Sequence, residues 1–158
     1  MICEKDMFEA TNGINTHKGI IFSMGMLSGG AGVLAKNSKS INHISLCEIV
    51  KQITNGLIEK DFSNLDSKEN LSYGEKIYLR YGIRGIREEV SQGFPLVQKN
   101  ALPIIRELRS KRNVNDIGIQ TLFSIMKDNN DTNIISRGDL QSLKFVKSSA
   151  KTFLDEGG

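Results

Sequence analysis

The sequence predicts an all-α protein, a multi-helix bundle around one glycine-rich central helix. Apolar residues recur at spacings of three and four along most of the chain, and no segment alternates with period two for long enough to make a strand. The 158 residues contain no tryptophan and only 6% aromatics, so core volume must come from Ile, Leu, Val, Met and Phe, a helical palette. A single domain over residues 1–158 is long enough to bury a sizeable core.

The central helix is expected after the polar run Thr11 to Gly19, reaching residue 35. Gly19, Gly25, Gly29, Gly30 and Gly32 fall there, each costing up to about 1 kcal/mol relative to alanine, which is tolerable where neighbouring helices approach closely. Leu46, Ile49, Val50, Ile53, Leu57 and Ile58 form one stripe, opened by a Ser45–Glu48 capping box. Ser72 and Glu75 repeat that device before Ile77, Tyr78 and Tyr81, and Gly82 is placed to end the helix in a left-handed cap. Pro95 opens another helix, which Pro103 kinks or restarts before the basic turn Arg109 to Arg112. Leu122, Phe123, Ile125 and Met126 mark a further helix. Leu140, Leu143, Val146, Ala150, Phe153 and Leu154 mark the last, stopped by Gly157. Polar loops are expected at residues 36–42, 61–71 and 128–137.

A net charge of +3 is too small for a nucleic-acid partner. Its distribution is uneven: residues 1–74 carry 7 basic and 8 acidic side chains, residues 75–158 carry 14 and 10, and all seven arginines lie in the second part. Arginine suits phosphate oxygens, which favours an anionic small molecule. Cys3 and Cys47 form no disulfide framework, and His43 with Cys47 lacks two further zinc ligands, so reduced thiols and a cytoplasmic setting are expected. The apolar run Ile20 to Ala35 reads as too short and glycine-rich for a membrane span.

Two nucleotide-like patterns are decoys. Gly30-Ala31-Gly32-Val33-Leu34-Ala35 matches a dinucleotide fingerprint, but inside a helical run rather than at a strand-to-helix turn. Gly13 to Lys18 imitates a phosphate loop, yet no strand precedes it and no Ser or Thr follows the lysine.

Three clusters carry chemistry. In Thr11-Asn12-Gly13-Ile14-Asn15-Thr16-His17-Lys18-Gly19, a helix beginning near Thr16 or His17 would aim free amides and a positive dipole end at an anion, with Lys18 adding charge. Thr16 also reads as a simple N-cap and His17 as an ordinary loop histidine. Gly82-Ile83-Arg84-Gly85-Ile86-Arg87-Glu88-Glu89 mixes cations with a possible base, Glu89, although Arg84 and Glu88 also fit a surface pair. Asp131-Thr132-Asn133 offers hard oxygen ligands suited to magnesium, followed by Arg137-Gly138 at a second helix start, while an Asx turn entering a helix explains the same residues.

In order, T-N-G-I-N-T-H-K-G-I-I-F-S-M-G, Y-G-I-R-G-I-R-E-E-V-S-Q-G-F-P-L-V with A-L-P, and D-T-N-I-I-S-R-G resemble the triphosphoribosyl-dephospho-coenzyme A synthase family, essentially over the whole chain. The resemblance implies an all-helical transferase that moves the triphosphoribosyl group of ATP to a ribose hydroxyl of dephospho-coenzyme A and releases adenine. The product would be destined for the acyl carrier subunit of citrate lyase or malonate decarboxylase. On that implication Asp131 and Asn133 hold magnesium. Asn15, Thr16, Lys18, Gly19, Arg87, Arg137 and Gly138 bind nucleotide phosphates, and Glu89 or His17 moves protons.

The chain departs from the family at Asn12, Glu88, Asn130 and Asp139, where the motifs usually have Gly, Gly, Gly and Gly. Members also begin upstream with a K-P-G motif and extend past Gly158. A core segment of a longer domain is therefore expected, with Met1 inside a helix, with little turnover of its own, and with exposed apolar faces that favour a homodimer. The rival reading is a non-catalytic helical nucleotide-binding or assembly module on the family scaffold.

Overall fold

Caps and glycines punctuate the chain in the computed structural model, which describes residues 2–157. The α-helices are α1 (Ile2–Ala10), α2 (Lys18–Lys36), α3 (His43–Ile53), α4 (Leu57–Phe62), α5 (Tyr73–Tyr81), α6 (Ile86–Ser91), α7 (Leu102–Leu108), α8 (Val114–Met126), α9 (Thr132–Arg137) and α10 (Leu140–Asp155). No strand occurs among the described residues, so the all-α class holds. Met1, expected to be helical, lies outside the described residues, but α1 follows it directly.

The best-read helix is α5. Ser72 accepts the Glu75 amide, Glu75 accepts the Ser72 amide at 2.7 Å, and Gly82 closes the helix at φ 71°. Burial opposes ionisation of Glu75, yet hydrogen bonds from Lys68 and Ser72 outweigh it and hold its carboxyl down at about 2. A carboxyl that ionises more readily folded than unfolded stabilises fully above its ordinary range and loses that contribution as pH falls toward its folded value. Glu75→Gln keeps a capping side chain but removes the charge. Its melting temperature should therefore lie below that of the parent at neutral pH, and the gap should close as pH falls from about 4.5 toward about 2. A gap independent of pH would contradict this.

Three expected elements are corrected. The α3 capping box is Asn42 with Ser45, not Ser45 with Glu48: the Asn42 side chain accepts the Ile44 and Ser45 amides, so the helix starts earlier. The stripe through Ile58 is two helices, because the chain turns at Thr54 to Gly56, where Gly56 has φ 77°. Buried Thr54 donates its hydroxyl to the Val50 carbonyl at 2.7 Å, satisfying the end of α3. The expected loop at 128–137 is short, since α9 occupies Thr132–Arg137.

Pro103 falls in the first turn of α7, as the reading that it starts the next helix expects. A π turn at Val97–Ala101 runs straight into α7, widening the backbone where the proline ring would strike the preceding turn. Buried Asn100 on that turn donates to the Ser124 carbonyl at 2.7 Å and to Asp128 at 2.6 Å, tying it to α8.

The fold divides into two compact units: residues up to Glu59 with Ile86–Gly93, and Lys60–Gly85 with the residues from Phe94 on. In the first, α2 is the hub, touching α1, α3 and α6. Gly30 meets α3 so closely that an added Cβ would lie 2.9 Å from Ile49. The expectation that the other glycines admit neighbours fails at Gly29 and Gly32, which face open space, and Ile20 and Met24 are exposed. With 19 residues and mean hydropathy 1.3, α2 is long and apolar enough to cross a membrane by length and composition, so the length argument against a span does not stand. A mostly buried core helix passes the same test, but α2, although it touches α1, α3 and α6, has only 11% of its apolar window buried.

In the second unit Ile77, Ile135 and Leu143 form a buried cluster joining α5, α9 and α10, with Tyr81, Ile83, Ile134 and Leu140 around it. Phe123 and Phe153 stack at 4.0 Å between α8 and α10.

Candidate functional site

The first polar cluster sits at the amino end of α2. Asn12 and Gly13 take left-handed conformations, φ 52° and 82°, to turn the chain out of α1. Asparagine tolerates that region better than other non-glycine residues, which accounts for Asn12 in a glycine position. Thr16 is not the N-cap. His17 is, without a side-chain cap bond, while Thr16 Oγ1 lies 2.8 Å from His17 Nδ1 and Asn15 accepts the Lys18 amide at 3.1 Å. The Gly19 and Ile20 amides have no acceptor among the described residues, leaving donors and the dipole end open to an anion.

Charges gather at the same end. Lys18 Nζ pairs with Glu4 of α1 at 2.8 Å. Ile86 packs on Gly19 at about 3.7 Å from where a Cβ would stand, so α6 crosses the first turns of α2, and the Arg87 guanidinium lies 5.6 Å from the Phe22 ring centre. The Lys18 ammonium holds the Glu4 carboxyl below the usual carboxylate range, with partial burial opposing and the Arg87 charge adding. Glu89, two residues beyond Arg87 on α6, points elsewhere. Burial pushes the Cys47 thiol on α3 up and the Glu89 charge adds to it, so Glu89 lies on the α3 side. The unit thus unites Asn15, His17, Lys18, Gly19 and Arg87 and sets Glu89 apart on α6.

The third cluster lies in the second unit. Asp131 is the N-cap of α9: Oδ1 accepts the Asn133 amide at 2.7 Å and the Ile134 amide at 3.3 Å, while Oδ2 has no hydrogen bond among the described residues. Asn133 and Arg137 are exposed. Gly138 does not present its amide to an anion, because that amide donates to the Ile134 carbonyl at 2.9 Å. Nor does Asp139 merely sit beside Arg137. It caps α10 by accepting the Ser142 amide at 2.7 Å, and that backbone bond holds its carboxyl below the usual range.

Asn130 accepts from Lys147 at 3.0 Å beside a cleft of ≈ 440 Å³ floored by Ile83, Leu140 and Leu143 and rimmed by Lys144 and Lys147. Gly85, at φ 57°, lies against Thr132, where an added Cβ would be 3.0 Å from Cγ2, so part of the second cluster packs on the third. Arg84 precedes α6, which begins at Ile86, and its guanidinium lies over the Tyr78 ring at 5.8 Å. Among the described residues no group of three or more His, Cys, Asp or Glu could hold a metal.

The whole chain, residues 1–158, matches the family described as ATP:dephospho-CoA triphosphoribosyl transferase. The chain belongs to this family. It is similar to the 2-(5''-triphosphoribosyl)-3'-dephosphocoenzyme-A synthase of Klebsiella pneumoniae, with 40% identity over 159 residues, covering 100% of this chain and 52% of that protein. A probable synthase of the same name from Malonomonas rubra is 41% identical over 163 residues, covering 98% of this chain and 50% of the relative. The Escherichia fergusonii synthase is 36% identical over 159 residues. The chain therefore spans about half the length of the curated relatives it matches. No solved structure matches it.

Sequence reasoning missed Glu4, whose partner lies on another helix. The available signal was its position three residues before Met7: both share one face of α1, and Met7 is buried with its sulfur accepting the His17 amide at 3.2 Å.

Proposed function

We propose that the chain carries part of the active site of a transferase that moves the triphosphoribosyl group of ATP to a ribose hydroxyl of dephospho-coenzyme A. The observation that carries this reading is the amino end of α2, where Lys18, Arg87 and open amides converge in a chain of this family. In the reaction the bond from ribose C1' to adenine breaks and a bond from C1' to the acceptor oxygen forms. Adenine gains a proton and the acceptor hydroxyl loses one.

In the first unit Lys18, Arg87 and the Gly19 amide bind phosphate oxygens and Asn15 fixes the first turn of α2; in the second unit Arg137 is the candidate phosphate-binding cation. Proton transfer falls to His17, exposed beside Thr16, or to Glu89. Asp131, through its open Oδ2, and Asn133 fit magnesium, which would neutralise charge on the triphosphate. The product's destination on this reading is an acyl carrier subunit.

The test is adenine release from magnesium-ATP with dephospho-coenzyme A, followed by chromatography, alongside ATP binding by calorimetry. Lys18→Ala is expected to weaken ATP binding about tenfold or more, the scale of one lost charged hydrogen bond. ATP binding unchanged by Lys18→Ala and by Arg87→Ala would overturn the phosphate assignment. Binding without adenine release would favour the non-catalytic module.

A further inference from the structure

Glu4 stands at the candidate anion site although no motif announces it. Its carboxylate contacts Lys18 at 2.8 Å, both side chains are only partly exposed at 24% and 40%, and the facing charges are Lys18 from α2 and Arg87 from α6. These are the cations that the proposed function gives to phosphate oxygens. A carboxylate already touching Lys18 satisfies the ammonium, so a polyphosphate arriving at the open amides of Gly19 and Ile20 has to take Lys18 from it. Partly exposed ion pairs contribute little to stability, so the contact can exchange at small cost.

We propose that Glu4 is a positioning residue for Lys18: it parks the ammonium at the amino end of α2 and is displaced from it by an incoming polyphosphate. The proposal rests on the phosphate reading of α2. It makes Glu4 a built-in competitor, so that only an anion with several oxygens, reaching Lys18, Arg87 and the α2 amides together, outweighs the pair that it breaks.

The probe is metal-free inorganic tripolyphosphate, titrated by calorimetry into the full chain and three variants. Glu4→Gln is expected to bind about three- to tenfold tighter than the parent, as the competing charge is gone. Lys18→Gln is expected to bind at least about tenfold weaker. In the Lys18→Gln background, adding Glu4→Gln is expected to change affinity less than about twofold, since Glu4 acts through Lys18. A merely structural Glu4 would move the unfolding midpoint but not this coupling. Lys18-dependent binding that Glu4→Gln leaves unchanged or weakens overturns this inference alone. Equal or absent binding by the parent and Lys18→Gln overturns it together with the phosphate reading.

Discussion

Replacing Gly93 with alanine is expected to destabilise the fold by about 2–4 kcal/mol, through a left-handed backbone and a collision with main chain. Gly93 has φ 75°, and an added Cβ would stand 2.8 Å from the Cys47 carbonyl oxygen on α3. A carbonyl inside a helix cannot swing away as a side-chain tip can, so the two helices must part. Gly82→Ala isolates the first cost, because Gly82 has φ 71° and nothing within 4 Å of its added Cβ. That variant should lose only about 1–2 kcal/mol. Urea unfolding of both measures the difference, and equal losses would show that the approach to Cys47 is not tight.

The consequence reaches the site, since α6 carries Arg87 and Glu89 and Gly93 fixes its end against α3. In a Cys3→Ser background the half-buried Cys47 should also react faster with a thiol reagent once Gly93→Ala lifts α6 away.

Legibility in the sequence followed locality. Ser72, Glu75 and Gly82 act within one helix, and each role was readable from spacing alone. Asn42 was missed because asparagine and serine cap equally well, and two candidate starts three residues apart cannot be ranked locally. The break at Gly56 was hidden by apolar residues that keep helical spacing across it. The π turn before Pro103 depends on Asn100 reaching Ser124 and Asp128, 24 and 28 residues away. The same limit applies to the site. Thr11 to Gly19 announced the amino end of α2, but Glu4 and the placement of Arg87 over Phe22 are contacts between helices. Glycine content pointed to close approach without saying which glycine: Gly30 and Gly93 meet neighbours, whereas Gly29 and Gly32 do not.

Asp131 shows why one residue type supports two readings, and its substitutions separate them. An aspartate at an N-cap gives one oxygen to backbone amides, as Oδ1 does to Asn133 and Ile134, and keeps the second for another partner. Asparagine caps as well as aspartate but carries no charge. Asp131→Asn should therefore leave thermal stability within about 0.5 kcal/mol of the parent, whereas Asp131→Ala should lose about 1 kcal/mol with the cap. If Oδ2 holds magnesium, both variants should weaken magnesium-dependent ATP binding about tenfold or more, while binding of metal-free ATP stays unchanged. Magnesium-ATP binding by Asp131→Asn equal to that of the parent would reduce Asp131 to a cap. Loss in Asp131→Ala alone would trace the effect to the position of α9 rather than to the carboxylate charge. The decisive comparison is thus between the two variants, because the cap and the ligand share one side chain but not one oxygen.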